Sequence, residues 1–330
     1  MLRLHEFRHH RPHSLREALE LLAAHEGEVM PVAGGTDLVP NMKHRLFLPG
    51  HVVALKGVPE LRGITVQHGE LVIGATETLS DVACNALVRQ NAPALARAAG
   101  LIAGPQLRNM GTIGGNVCLD TRCTYYNQTL FWRQALGFCL KKDGDVCHVT
   151  RVGKKCVAAH SADTPPVLMA LGASADLVSP NGSERTIRLR DFFLADGVWN
   201  SVRRPDEILV RVRIPVPPAG ARAAYQKLRQ RNAIDFPLLS IAAAARFSTG
   251  DTVESIEIVV SALGARPRVL TGLDSIVVGR QLTDPVIDAL AERAFQQCHP
   301  LENMIVDADW RRAMVRVYAR RALRDLHSSE

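Results

Sequence analysis

Pro31-Val-Ala-Gly34-Gly35-Thr36-Asp37-Leu38 is the end of a short apolar run that breaks on paired glycines and then offers a hydroxyl. A strand ending this way suits a phosphate: glycine lets the backbone approach a ligand closely, and Thr36 adds a donor. The turn lacks the lysine of a P-loop, which argues against a transferred phosphoryl group. A second turn of the same character follows at Gly111-Thr-Ile-Gly114-Gly115-Asn116, with Thr112 and Asn116 as polar handles. Two such turns from separate segments suit a pyrophosphate gripped from both sides. Neither fits G-x-G-x-x-G, so a Rossmann reading is weak.

Straight after the second turn come Cys123, Cys139, Cys147 and Cys156. Their spacing has neither the C-x-x-C knuckles of zinc ribbons nor the C-x2-C-x2-C run of bacterial ferredoxins. Wide spacing suits a centre reached from several directions by a looping chain, and thiolates alone leave [4Fe–4S] and zinc both open. Cys84, Cys118 and Cys298 stand apart and read as small buried hydrophobes. Residues 122–156 also hold Arg122, Arg133, Lys141, Lys142, Arg151, Lys154 and Lys155 against Asp143 and Asp145. This is either a docking patch for an acidic electron carrier or a solvated loop face. Lys227, Arg231 and Asp235 follow a proline-rich stretch, and a cation there could favour a reduced flavin.

Length and composition frame these motifs. At 330 residues with 47 % hydrophobic content, the chain is expected to build two or three ordinary cores. No apolar run is long enough for a membrane span, and the start of the chain lacks a signal-peptide pattern, so a cytoplasmic location is expected. Seven cysteines in a reducing compartment are better read as ligands than as disulfides. The net charge of +7 is spread along the chain and does not demand nucleic acid.

The patterning predicts a helix over 12–26 with Ser14 and Glu17 as a capping box, strands at 29–33, 52–55 and 70–73, and helix over 78–100 restarting at Pro93. Residues 119–160 keep no period and are expected to fold irregularly around the thiols. An apolar helix near 162–172 precedes a boundary at 204–220. Strands at 222–231, 239–247 and 253–262 and helices at 284–298 and 308–327 follow, the last with Met314, Val317 and Leu323 as its buried stripe.

Ala33-Gly-Gly-Thr-Asp-Leu38 and Thr112-Ile-Gly-Gly-Asn116 resemble the two flavin-pyrophosphate turns of FAD-binding subunits of molybdenum hydroxylases. The stretch from Gly114 to Gln128, continuing through Gly137-Phe-Cys-Leu-Lys and Gly144-Asp-Val-Cys-His148, more narrowly resembles the β subunits of 4-hydroxybenzoyl-CoA reductases. Those carry an insertion with an extra [4Fe–4S] cluster. The resemblance implies a mixed α/β, two-lobed FAD-binding domain of the vanillyl-alcohol-oxidase type, with an α+β C-terminal domain of the CO dehydrogenase flavoprotein type. The implied division is residues 1–57, 58–218 with the insertion at about 119–160, and 219–330.

It further implies FAD held by Ala33, Gly34, Gly35, Thr36, Asp37, Leu38, Thr112, Ile113, Gly114, Gly115, Asn116, Asp120 and Lys227, and a [4Fe–4S] cluster on the four cysteines. No catalytic residue is expected on this chain. The implied partners are a molybdopterin-binding large subunit and a small subunit with two [2Fe–2S] clusters, in a dimer of heterotrimers. Ferredoxin is the implied donor for reductive removal of a phenolic hydroxyl, with neither nucleic acid nor membrane involved. A related molybdenum hydroxylase oxidising another substrate is the alternative. A basic zinc or iron–sulfur protein that binds nucleic acid is an alternative of another class, and it leaves both glycine turns without a role.

Overall fold

The computed structural model describes residues 2–327. Three sheets follow one another along the chain. The first is parallel, in the order Arg8–His10, His51–Ala54, Val29–Val32. Helix Leu15–Ala24 lies between its first two strands in sequence and starts at the expected cap, where Ser14 Oγ accepts from Glu17 N–H at 3.1 Å. The Glu17 carboxylate reaches one residue past the usual box, accepting from His13 N–H at 2.7 Å. Ala18, Leu19 and Leu22 then pack on Val53 and Leu55.

The second sheet is antiparallel throughout, in the order Ile64–Gln67, Glu70–Gly74, Ile208–Pro215, Ser174–Val178, Glu184–Arg188. Its middle strand lies inside the stretch read from sequence as a boundary. The boundary reading rests on Arg204-Pro205-Asp206-Glu207 and on the proline-rich run Ile214–Gly220, and the strand that joins them carries Arg211 and Arg213. In the fold both turn onto the fully buried Asp176 of the neighbouring strand, with N···O distances of 3.2 and 2.7 Å. The helix expected over 78–100 is three short ones, Leu79–Cys84, Ala86–Asn91 and Pro93–Gly100. Asn85 makes the first break, its side chain accepting from Leu87 and Val88 N–H.

The third sheet runs Arg268–Val269, Val253–Ser261, Leu239–Phe247, Ala221–Leu228. Both faces of its central strand are buried, which explains the run Ala242-Ala-Ala-Ala245. Ala243 and Ala245 face the core shared with helices Asp284–Gln297 and Ala308–Asp325, whereas Ala242, with Tyr225 and Val259, joins the core of the second lobe. The buried stripe of the last helix differs from the expected one. It is Val315, Ala319, Ala322 and Leu323 with a fully buried Arg311, while Met314 and Val317 are half-buried. Arg316, Arg320 and Arg324 pair with Glu292, Asp288 and Asp284 of the preceding helix. They do not form an open basic face.

Residues 119–160 are irregular except for one unforeseen helix, Leu130–Leu136, capped by Thr129 and ended by Gly137 at φ 88°. The excursion is tied to both ends of the molecule. Arg133, fully buried, donates to the His44 and Arg45 carbonyls. Thr124 N–H donates to Asn303 O, and Asn303 Nδ2 donates to Val157 O. Among the described residues, no helix is long and apolar enough to cross a membrane.

Candidate functional site

Two cavities lie side by side. The larger, of about 470 Å³, is walled by both glycine turns. Ala33, Gly34, Gly35, Thr36, Asp37, Leu38, Thr112, Gly114, Gly115, Asn116 and Asp120 all line it. Ile113 and Lys227 do not. The Ile113 side chain is fully buried in the core beneath the second turn. Lys227 stands behind the wall, with Nζ 3.0 Å from Asp163 Oδ2 and 3.2 Å from the Leu101 carbonyl. Tyr225 donates to the other Asp163 oxygen at 2.6 Å. Burial is the main influence on this trio, lowering the Lys227 pKa and raising that of Asp163.

The two turns touch through glycine. A Cβ on Gly34 would lie 2.0 Å from the Met110 carbonyl oxygen, and one on Gly114 would lie 2.7 Å from Ala75 Cβ. Gly35 has φ 72°, the left-handed region. The turns differ in what they offer a ligand. Among the described residues, no acceptor takes the backbone N–H of Gly34, Gly35, Thr36 or Asp37. The second turn is already committed: Ile113, Gly114, Gly115 and Asn116 N–H donate to Glu77 O, Ala75 O, Thr112 Oγ1 and Thr112 O. Asn116 Oδ1 accepts from Thr164 N–H and Oγ1. The first turn is therefore the donor cradle, and the second is the packed wall it rests on.

Arg122 is a site residue that the sequence showed only as part of a basic run. Its guanidinium is ion-paired with Asp37 Oδ1, sits 4.2 Å from the Phe236 ring centroid, and leaves Nε buried without a partner. Burial lowers its pKa to about 10. Asp37 also accepts from Asn41 Nδ2 at 3.1 Å, so its carboxylate faces Arg122 and the helix. Ile234 and Phe236 reach in from the third sheet's loop, held by Ile234 N–H donating to Ala103 O. An apolar mouth, free amides and a buried cation with an orphaned N–H fit an anionic, ring-bearing ligand.

The smaller cavity, about 20 Å³, is walled by Cys123, Cys139, Cys147 and Cys156 together with Tyr126, Lys141 and His148. The expected thiols thus converge. Among the described residues, the His, Cys, Asp and Glu ligand atoms that gather within 4.8 Å of one another are those of His10, His25 and His51. The four sulfurs are therefore spread more widely than the spacing of about 3.8 Å that tetrahedral zinc with bonds of about 2.3 Å imposes. Burial, reinforced by the neighbouring thiols, pushes Cys123 up to about 11. Burial also raises Cys156, against the pull of Lys141. At Cys147, hydrogen bonds from Thr150, Val149 and Val157 outweigh burial and hold the thiol below its ordinary value. Ala158 N–H donates to Cys156 Sγ at 3.5 Å, and a Cβ on Gly197 would lie 2.6 Å from that sulfur.

Lys141 lines the thiol cavity and reaches Asp120 on the wall of the larger one. Its Nζ bonds to Asp120 Oδ1 at 2.7 Å, Thr121 Oγ1 at 2.5 Å and Gly197 O at 2.6 Å, and lies 4.6 Å from the Tyr126 ring centroid. Its side chain is 4 % exposed. It is therefore not part of an outer basic face. With Arg122 and Arg133 also withdrawn, that face reduces to Lys142, Arg151, Lys154 and Lys155. The lone cysteines split: Cys298 is buried as expected, but Cys84 and Cys118 are exposed, and Cys118 lines the larger cavity.

The FAD binding domain of molybdopterin dehydrogenases matches residues 5–217, and the CO dehydrogenase flavoprotein C-terminal domain matches residues 223–326. The chain belongs to the FAD-binding medium subunits of the molybdenum hydroxylase family. It is similar to the carbon monoxide dehydrogenase medium chain of Hydrogenophaga pseudoflava, 31 % identical over 318 residues and covering 96 % of each chain. The glyceraldehyde dehydrogenase medium chain of Sulfolobus acidocaldarius is 26 % identical over 97 % of this chain and 98 % of its own. A solved structure of the Hydrogenophaga pseudoflava carbon monoxide dehydrogenase superposes with a TM-score of 0.81 at 29 % identity, covering 99 % of both chains. This medium subunit thus has the family's mixed α/β FAD-binding domain and flavoprotein C-terminal domain, and the 470 Å³ cavity lies within the matched region.

Proposed function

We propose that this medium subunit is the FAD- and [4Fe–4S]-carrying electron-transfer chain of a molybdenum-dependent 4-hydroxybenzoyl-CoA reductase, which removes the phenolic hydroxyl to give benzoyl-CoA. It would work beside a molybdopterin-binding large subunit and a small subunit with two [2Fe–2S] clusters, in a dimer of heterotrimers, with ferredoxin as donor. The observation that supports this best is the four-thiol cavity, set against the FAD cavity through Lys141 and Asp120.

Bound FAD exchanges one or two electrons, and a cluster on the thiolates exchanges one. The chain's residues supply the setting. The amides of Gly34 to Asp37 would hold the pyrophosphate, and Arg122, kept in place by Asp37, would offset its charge. Cys123, Cys139, Cys147 and Cys156 would ligate the cluster, with Lys141 offsetting its negative charge and Tyr126 helping to keep water out.

The test is the anaerobically purified complex, assayed for iron, sulfide and turnover of 4-hydroxybenzoyl-CoA with reduced ferredoxin. About four irons beyond those of the small subunit, lost on Cys147→Ser, are expected. An iron content unchanged by that substitution would refute the cluster. Turnover of another substrate with the cluster intact would leave the related-hydroxylase reading, which the relatives named for carbon monoxide and glyceraldehyde keep in view.

A further inference from the structure

Three histidines meet on the far side of the first sheet's segments, away from both cavities. His10 ends the edge strand Arg8–His10, His51 opens the strand His51–Ala54, and His25 is the C-cap residue of helix Leu15–Ala24. One ring nitrogen of each lies within 4.8 Å of the other two, and all three residues are half-buried. His10 Nε2 is 2.9 Å from His51 Nδ1, and the His25 and His51 rings stack at 3.6 Å between centroids.

We propose that His10, His25 and His51 form a binding site for a divalent first-row transition metal of the zinc type, with water in the fourth position. Imidazole nitrogens suit such ions. Zinc–nitrogen bonds of about 2.0 Å place ligand nitrogens about 3.3 Å apart, inside the range these three span. Binding would turn the His25 ring out of its stack with His51.

The site's role is bracing. A metal there joins three segments that are otherwise distant in sequence. It also stiffens the parallel sheet whose strand Val29–Val32 runs into the Gly34–Asp37 cradle.

The test uses the untagged complex, stripped with chelator and titrated with zinc against a competing chromophoric chelator. One equivalent is expected, with a zinc-edge X-ray absorption shell of nitrogen or oxygen at about 2.0 Å and no sulfur at about 2.3 Å. His25→Ala and the milder His25→Gln should each weaken binding at least 10-fold and abolish the zinc-induced rise in Tm. Unchanged affinity in both variants, or a sulfur shell, would overturn the site.

Discussion

The Lys141 ammonium and the Asp120 carboxylate lie 2.7 Å apart, and each faces a different cavity: Asp120 the one walled by the glycine turns, Lys141 the one walled by thiols. A charged pair in the partition between the two cavities contributes to the field within each.

Removing one half of that pair is expected to cost more than removing both. Lys141→Met leaves the Asp120 charge behind in a largely buried place, at about 3–5 kcal/mol by analogy with broken buried pairs. The double variant Lys141→Met, Asp120→Asn should recover part of the loss. Urea unfolding of the four forms of the cycle measures the coupling, and simple additivity would show that the pair is not a unit.

Gly34→Ala should strip FAD from the protein. Its methyl would meet the Met110 carbonyl oxygen at 2.0 Å, so the two turns must part. Gly115→Ala meets only Thr112 Oγ1 at 3.1 Å and should leave the fold nearly unchanged. Flavin content per chain, read alongside Tm, checks this; full FAD in the Gly34 variant would remove the cradle from the assignment.

Acid should weaken the fold through His160. Burial holds its folded-state pKa at about 3, against an ordinary value of 6.5. The unfolded chain binds the proton first, so this residue contributes no penalty above pH 6.5, and stability falls as pH drops from there towards 3. The slope approaches about 1.4 kcal/mol per pH unit within that window. His160→Leu, whose ring contacts are Phe193 and Ser261 Oγ, should flatten the stability profile between pH 6 and 4. An unaltered profile would assign acid sensitivity elsewhere.

Salt should slow reduction by ferredoxin if Lys154 and Lys155, both exposed, help dock it. Lys154→Glu with Lys155→Glu should slow that reduction several-fold and spare reduction by a small uncharged donor. Equal slowing of both donors would indicate damage to the thiol loops instead.

Much of the site was legible because its chemistry is local in sequence. Paired glycines after an apolar strand mark a close approach whatever surrounds them, and four thiols in one irregular stretch have few other uses. What escaped was long-range. Arg122 looked like one of several basic residues until the fold set it on Asp37, and Lys141 looked like part of a surface patch until Asp120 and Gly197 enclosed it. The strand Ile208–Pro215 was missed because Arg204-Pro205-Asp206-Glu207 and the prolines from Pro215 onward read as a linker, while the strands it pairs with, Glu70–Gly74 and Ser174–Val178, are distant in sequence. Lys227 was placed by its charge beside the flavin, and its partner Asp163 lines the cavity in its stead.

The thiol-bearing excursion is not a cassette that could be cut out and the ends rejoined. Arg122 is rooted in Asp37, Arg133 in the His44 and Arg45 carbonyls, Lys141 in Asp120 and Gly197, and the Cys156 sulfur rests against a residue on a different stretch of chain. Excision would take Arg122 away and strand the Asp37 carboxylate on the wall of the flavin cavity. A shortened chain would need a new cation there, or a neutral residue at 37, to restore the balance of charge beside its flavin.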